Sequence, residues 1–344
     1  MADVEQRPNA RAAMRLHELA NSLGVAAAVQ AAAQLGIADS LGEQPVPVAD
    51  LARAVGADEG VLHRLMRALA HHGVFRDAGQ HRYAHTELSR LLRTDAPGSR
   101  RDMVLLAGMP WAWEVWPRLG DAVRTGKAVF PAIYGKDQFR YLSEDAPDAA
   151  AVFNRAMTNG SVITGRAVAD TLDVADVRTV ADIGGGHGLV LRHLLERHQR
   201  LSGVLMDLPS VVAGAEAALR PGGGLAGRCR IVGGDCRAEV PFVADLYLLK
   251  HVLHMWDDDQ AAAALSAIAR SAPSGARVVV VEQLVDASPE PGIAAVIDLL
   301  MLLNMGGKER TRDDFAALFE RCGLRPAGVT ATPSMVHLIE AVVR

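Results

Sequence analysis

The sequence predicts an α/β protein: a C-terminal half built on a mostly parallel, seven-stranded sheet covered by helices on both faces, after a mainly helical N-terminal segment. Three observations predict this. From Val180 onward, short β-branched and apolar runs alternate with helical spacing. The first run enters a glycine-rich turn, Asp182-Ile-Gly-Gly-Gly-His-Gly188, ahead of a segment with helical spacing. Each expected strand then ends in a glycine or a polar residue, the position from which a parallel sheet addresses a ligand.

The expected strands are 179–183, 203–206, 229–232, 244–249 and 277–282, with a C-terminal pair between about 328 and 343. Residues 11 to about 92 read as helices with a short strand pair at the end. The alanine-rich run 17–35 is apolar nearly all round, which suits a helix buried against another chain. A helix at 48–55, a turn at Gly56, a cap at Asp58 and a stripe of Val61, Leu62, Leu65, Met66 and Leu69 form a helix-turn-helix. Residues 74–83, with a turn at 77–79, would be its wing. Residues 102–172 form a mostly helical stretch punctuated by Pro110, Pro117, Pro131 and Pro147. The organisation expected is therefore a winged-helix-like domain over 1–100, a helical connector over 101–172 and a ligand-binding domain over 173–344.

Composition narrows the function classes. The chain has 344 residues, half of them hydrophobic, enough for about two domains, and a net charge of −4 gives no electrostatic reason to expect nucleic acid or an anionic membrane as partner. On the exposed side of the second helix of the helix-turn-helix only Arg64, Arg67 and nearby histidines are available, a thin supply of phosphate contacts for DNA. Cys229, Cys236 and Cys322 form no C-x-x-C pair and read as reduced thiols of a cytoplasmic protein. No apolar run approaches a membrane span, and the N-terminus is too polar for a signal peptide.

The turn at Gly184, Gly186 and Gly188 has the spacing G-x-G-x-G, and Leu189 stands where a dinucleotide fingerprint would place its last glycine. That argues against NAD and for a ligand without a pyrophosphate. Gly184, Asp207, Asp235, Lys250 and Glu282 end successive strands, so they should converge on one crevice. Asp207 lies about 23 residues after Gly184, near the ~20 at which an acid meets a ribose hydroxyl. Singly, Asp207 or Asp235 also reads as a helix cap or turn closer. Lys250 and His254 are four residues apart and would share one face of a helical turn. A histidine here suits general-base work, and a metal held by His251, His254 and Asp257 is the rival reading. Alone, Glu309 reads as a solvated charge between Lys308 and Arg310, and Thr311 caps the helix containing Phe315 and Leu318.

Taken together, Asp182 to Gly188, Asp207-Leu-Pro209, Gly234-Asp235, Leu249-Lys250 through His254, Trp256-Asp257-Asp258, Gly306-Gly-Lys-Glu-Arg-Thr311 and Phe153-Asn-Arg-Ala-Met157 resemble the S-adenosylmethionine-dependent small-molecule O-methyltransferases. That group includes plant phenolic and bacterial antibiotic-pathway enzymes, and the resemblance covers nearly the whole chain. It implies a Rossmann-like methyltransferase domain, with an N-terminal domain that makes a homodimer. It implies that Asp182, Gly184, Gly186 and Gly188 hold the methionine end of the cofactor. Asp207 and Leu208 would meet its ribose, Asp235 and Cys236 its adenine, and Lys250 would also face it. His254 falls at the general base, Glu282 and Glu309 at the carboxylates that orient it. S-adenosylhomocysteine would leave, and no metal is required.

One departure concerns the acceptor. Where the family often has His-Asp-Trp, this chain has His254-Met255-Trp256. A methionine there favours a flat apolar ring. With Trp111, Phe153, Met157, Leu300 and Asn304 it points to a phenolic hydroxyl on an extended aromatic, polyketide-like metabolite. The alternatives are a methyltransferase-fold enzyme with altered chemistry, such as N- or C-methylation or hydroxylation, and a cofactor-sensing, DNA-binding regulator.

Overall fold

The computed structural model describes residues 6–344, and their packing divides the chain into two compact units. The first takes residues up to 114 together with Ala146–Gly160; the second takes Val115–Asp145 with Ser161–Arg344. The helical stretch expected over 101–172 is present, and its residues are divided between the two units. Among the described residues no helix is long and apolar enough to cross a membrane.

In the first unit the alanine-rich run is two helices rather than one, Gln6–Ala20 and Ser22–Gln34. They part at Asn21, whose ψ of 4° leaves the helical region and whose side-chain amide donates back to His17 O. Helix Val48–Val55 stops at Gly56, left-handed at φ +65°, and Asp58 Oδ1 accepts from Val61 N at 2.8 Å to cap Glu59–His71. Of the expected stripe, Leu62, Met66 and Leu69 are buried, but Val61 is 61% exposed. Positions i, i+4 and i+7 define the buried line, and Val61 lies one 100° step off it. Strands β1 (Val46–Pro47), β2 (Phe75–Asp77) and β3 (Arg82–His85) form an antiparallel sheet in the order β1-β3-β2. The hairpin matches the expected strand pair.

The second unit carries the large sheet. Its strands are β4 (Thr179–Ile183), β5 (Ser202–Asp207), β6 (Cys229–Gly233), β7 (Leu246–Lys250), β8 (Arg277–Glu282), β9 (Leu324–Ala331) and β10 (His337–Val343), in the order β6-β5-β4-β7-β8-β10-β9. β4 to β8 pair in parallel, and β10 runs antiparallel to both β8 and β9. Side chains alternate strictly between two cores: Ala181, Ile183, Tyr247, Leu249, Val278 and Val280 on one face, Val180, Leu246, Leu248, Val279 and Val281 on the other. A sheet buried on both faces needs this near-continuous apolar run in each strand.

The chain leaves β4 on one side to form β5 and returns on the other to form β7. The carboxyl end of β4 is therefore the switch point at which such a sheet opens a crevice. Helix Leu189–Arg197 follows β4 and buries Leu191, Leu194 and Leu195 against the sheet. Gly203 in β5 makes room for it, since a Cβ there would stand 2.7 Å from Leu191 Cδ1. Gly203→Val should accordingly cost about 1–3 kcal/mol through overpacking; urea denaturation measures it, and an unchanged midpoint contradicts this packing.

Candidate active site

The crevice begins with the turn after β4. Gly184, Gly186 and Gly188 all have positive φ, at 65°, 60° and 84°. A Cβ on Gly184 would meet Val252 at 2.7 Å, one on Gly185 the Asp182 carboxyl at 2.5 Å, and one on Gly188 Leu219 at 2.5 Å, whereas Gly186 faces open space within 4 Å. Three glycines are thus imposed by packing, and Gly186 alone leaves the backbone bare toward the crevice. Asp207, at the end of β5, holds the turn: Oδ2 accepts from Gly186 N at 2.8 Å and Oδ1 from Leu208 N at 2.7 Å.

Asp182 is buried on β4, and Lys250 is part-buried at the end of the adjacent strand β7. Burial pushes the Asp182 carboxyl up to about 7, with Lys250 opposing and Asp207 reinforcing the shift. Burial likewise pushes the Lys250 ammonium down to about 8, against the pull of Asp182 and Glu282. Lys250 Nζ donates to Ser161 Oγ at 3.3 Å. Beyond β6, Asp235 takes a forked contact from Arg237, whose hydrogen bonds hold its carboxyl below the usual range. Arg237 also stands 5.1 Å from the centre of the Trp256 ring. Cys236 is buried, and its thiol is pushed up to about 12. Arg237 was not singled out from the sequence, although its two-residue spacing from Asp235 was available.

The loop after β7 differs from the expected helical turn. His251 is left-handed at φ +54°, and only Leu253–Met255 form a short 3-10 turn, so Lys250 and His254 do not share a helical face. His254 Nδ1 meets Glu309 Oε1 at 2.7 Å. Glu309 is buried, not solvated as it reads in isolation. Glu282 Oε1 accepts from the backbone N–H groups of His254 at 3.0 Å and Val252 at 3.2 Å, so it holds the histidine's backbone rather than its ring. Burial disfavours a charged imidazole, but the Glu309 hydrogen bond and the nearby Glu282 outweigh it and raise the His254 pKa above 6.5. The neighbouring His251 ring, 5.2 Å away, is driven the other way by burial, Lys250 and His254, and stays neutral.

Two further residues frame Glu309, neither of which the sequence reads as a site residue. Asp298 Oδ1 accepts from Glu309 N at 2.8 Å. Gly307 permits close approach, since a Cβ there would stand 2.1 Å from His254 O. Thr311 caps Arg312–Arg321 as expected, in a reciprocal box with Asp314. Asp257, one arm of the rival metal reading, caps Asp258–Ser271 by accepting from Gln260 N at 2.8 Å. Among the described residues no group of three or more His, Cys, Asp or Glu side chains is arranged to hold a metal.

The expected acceptor residues fall in both units. Trp111, Phe153 and Met157 belong to the first, where Trp111 is buried and Met157 exposed. Met255, Leu300 and Asn304 belong to the second, where Pro291–Met305 packs against the 3-10 turn. Asn304 is buried, and among the described residues its Oδ1 has no hydrogen-bond partner.

The chain belongs to the O-methyltransferase family. Residues 116–325 match the model of the O-methyltransferase domain, and 17–95 that of the O-methyltransferase dimerisation domain. It is similar to the mitomycin biosynthesis 6-O-methyltransferase of Streptomyces lavendulae, at 38% identity over 94% of each chain. The solved structure of the calicheamicin-biosynthesis methyltransferase CalO1, in its SAH-bound form, superposes with a TM-score of 0.87 at 33% identity, covering 97% of this chain and 98% of that one. The neocarzinostatin-biosynthesis O-methyltransferase NcsB1, in complex with S-adenosylmethionine and 2-hydroxy-5-methyl naphthoic acid, superposes with a TM-score of 0.76 at 32% identity, covering 93% and 96%.

Glu309→Gln removes the charge that raises the imidazole while leaving its burial, so the His254 pKa should fall below its wild-type value. A titration of 13C-labelled histidine by NMR reads it, and an unchanged pKa contradicts the assignment of Glu309 as the raising group.

Proposed function

We propose that this protein transfers a methyl group from S-adenosylmethionine to a phenolic hydroxyl of an aromatic secondary metabolite, with His254 as general base. The observation that carries this reading is the 2.7 Å contact from Glu309 to His254 Nδ1. A carboxylate on Nδ1 fixes the tautomer that donates there and leaves the Nε2 lone pair to take a proton. A phenol, with a pKa near 10, needs that help at neutral pH.

The donor fits the residues present. The bare Gly186 backbone, the Asp207 carboxylate anchoring it, buried Asp182 and part-buried Lys250 suit the methionine and ribose ends of a ligand without a pyrophosphate. In this assignment Gly184, Gly186 and Gly188 flank the methionine portion, Asp207 and Leu208 the ribose, and Asp235 and Cys236 the adenine. The donor brings a methyl group already activated on a sulfonium. The protein's task is then to align the acceptor oxygen and remove its proton. Alignment supplies up to about 7–11 kcal/mol in favourable cases, and base catalysis about 10²–10⁴-fold. As the O–CH3 bond forms and the S–CH3 bond breaks, the hydroxyl proton passes to His254 Nε2, and Glu309 stabilises the resulting imidazolium.

The acceptor wall proposed for this reaction comprises Met255, Leu300 and Asn304 of the second unit, where among the described residues Asn304 Oδ1 has no hydrogen-bond partner. A buried polar atom without a partner is uncommon, which supports a hydrogen-bonding substituent on the acceptor. The protein is further read as a cytoplasmic homodimer joined through its N-terminal unit. Met14, Leu16, Leu19 and Leu23 there are more than half exposed, apolar side chains that a second copy would cover.

His254→Ala should lower methyl transfer by about 10²–10⁴-fold while leaving S-adenosylhomocysteine affinity within a few-fold. Calorimetry reads the affinity, and a mass gain of one methylene reads turnover on hydroxynaphthoates and related phenols. Wild-type turnover by that variant overturns the role of His254.

A further inference from the structure

Arg310 follows Glu309 directly and, among the described residues, is the largest fully buried side chain, at 0% exposure. A buried guanidinium costs several kcal/mol unless its donors are all met, so its partners show what it is for. Nη1 donates to Leu253 O at 2.9 Å, Nη2 to Trp256 O at 3.0 Å and to Asp258 Oδ1 at 2.8 Å, and Nε to Asp258 Oδ1 at 3.0 Å. The two carbonyls bracket His254 and Met255. Arg310's own backbone is fixed as well, paired with Leu284 just beyond β8 and accepting from Val285 N at 3.2 Å.

This loop is therefore gripped from both sides by groups of opposite character. Glu282 accepts from its N–H groups, at Val252 and His254, and Arg310 donates to its carbonyls, at Leu253 and Trp256. Such a short 3-10 turn satisfies few of its own backbone groups, so without the clamp it has little to hold its shape. We propose that Arg310 is a positioning residue that sets the His254–Glu309 geometry, tying the segment that carries the carboxylate to the loop that carries the imidazole. The inference rests on the reading of His254 as the base. One peptide separates the guanidinium's residue from Glu309 and one separates the Leu253 carbonyl's residue from His254, so the hydrogen-bonded clamp acts one residue away from each partner. Lysine cannot replace it, because one ammonium lacks the fixed fork that reaches both carbonyls and Asp258. Asp258 orients that fork from the first turn of helix Asp258–Ser271, where it also binds Lys308 at 2.9 Å.

The test is a pair of variants, Arg310→Lys and Asp258→Asn, read in three ways. Asp258 is half exposed, so its variant is a safe second probe if the first does not fold. Arg310→Lys should lower kcat by about 10–100-fold, the scale of a small misplacement at a reacting group, with S-adenosylhomocysteine affinity within a few-fold. Asp258→Asn should act in the same direction and less. The groups facing the His254 ring are Glu309, Glu282, Lys250 and His251. As Glu309 moves away, the His254 pKa should fall in the S-adenosylhomocysteine-bound protein, read by NMR of 13C-labelled histidine and assigned with His254→Gln. The loss should also shrink on a nitrophenol acceptor already ionised at the assay pH, whereas general structural damage hits both kinds of acceptor equally. An unchanged His254 pKa, or equal losses on neutral and ionised phenols, overturns the clamp. Where Arg310→Lys does not fold, an Asp258→Asn protein with wild-type kcat and wild-type His254 pKa does the same. If His254→Ala retains turnover, the base reading fails on its own, while the NMR shift still judges whether Arg310 sets the contact.

Discussion

A buried contact between an imidazole and a carboxylate, His254 to Glu309, joins two segments 55 residues apart, and much of the second unit serves to hold it. Neither partner could sit there alone. A lone buried carboxylate or imidazolium would lose its hydration and revert to its neutral form, whereas together each lowers the cost of the other's charge. The surroundings are arranged accordingly. Glu282 takes up the loop's free N–H groups, Asp298 takes that of Glu309, and Gly307 lets the two backbones approach to a distance that no Cβ would tolerate.

The same sheet places the second half of the site. β4 lies between β5 and β7, so the glycine turn after β4, Asp207 after β5 and Lys250 at the end of β7 meet at one switch point. Burial draws the Asp182 carboxyl and Lys250 ammonium toward each other's titration range, to about 7 and about 8. A sulfonium donor carries positive charge of its own, which the Asp207 carboxylate at the turn favours. The proposed chemistry thus depends on two carboxylate-centred devices, one at the ends of β4 and β5 for the donor and one on the loops that follow β7 and helix Pro291–Met305 for the base.

Much of this was legible in the sequence because the sheet is buried on both faces. Continuous apolar runs with polar ends marked Thr179–Ile183 and Arg277–Glu282 to the residue and β5, β6 and β7 to within two positions, whereas the C-terminal pair begins at Leu324, earlier than the expected 328. Asp207 does stand at the glycine turn, as its place at the end of a strand implied. What the sequence hid was local geometry set by distant contacts. Nothing in Lys250-His-Val-Leu-His254 announces a left-handed histidine, so the helical spacing was the natural reading, and it was wrong. Lys308-Glu309-Arg310 looks like a solvated charge run, yet Glu309 and Arg310 are buried, because their partners lie more than 50 residues away in the chain. Asn21 likewise divides an alanine-rich run whose composition favoured a single helix.

The central claim is that a neutral His254, poised by Glu309, takes the acceptor's proton. The pH dependence of single-turnover methyl transfer to a phenol, measured on protein already loaded with S-adenosylmethionine, tests it most directly. The rate should rise with pH through one ionisation lying above 6.5, because the base works only when deprotonated and its pKa is raised. In Glu309→Gln that limb should move to lower pH while the plateau falls. A rate that follows only the ionisation of the phenol itself, with the same limb in both proteins, would contradict the account.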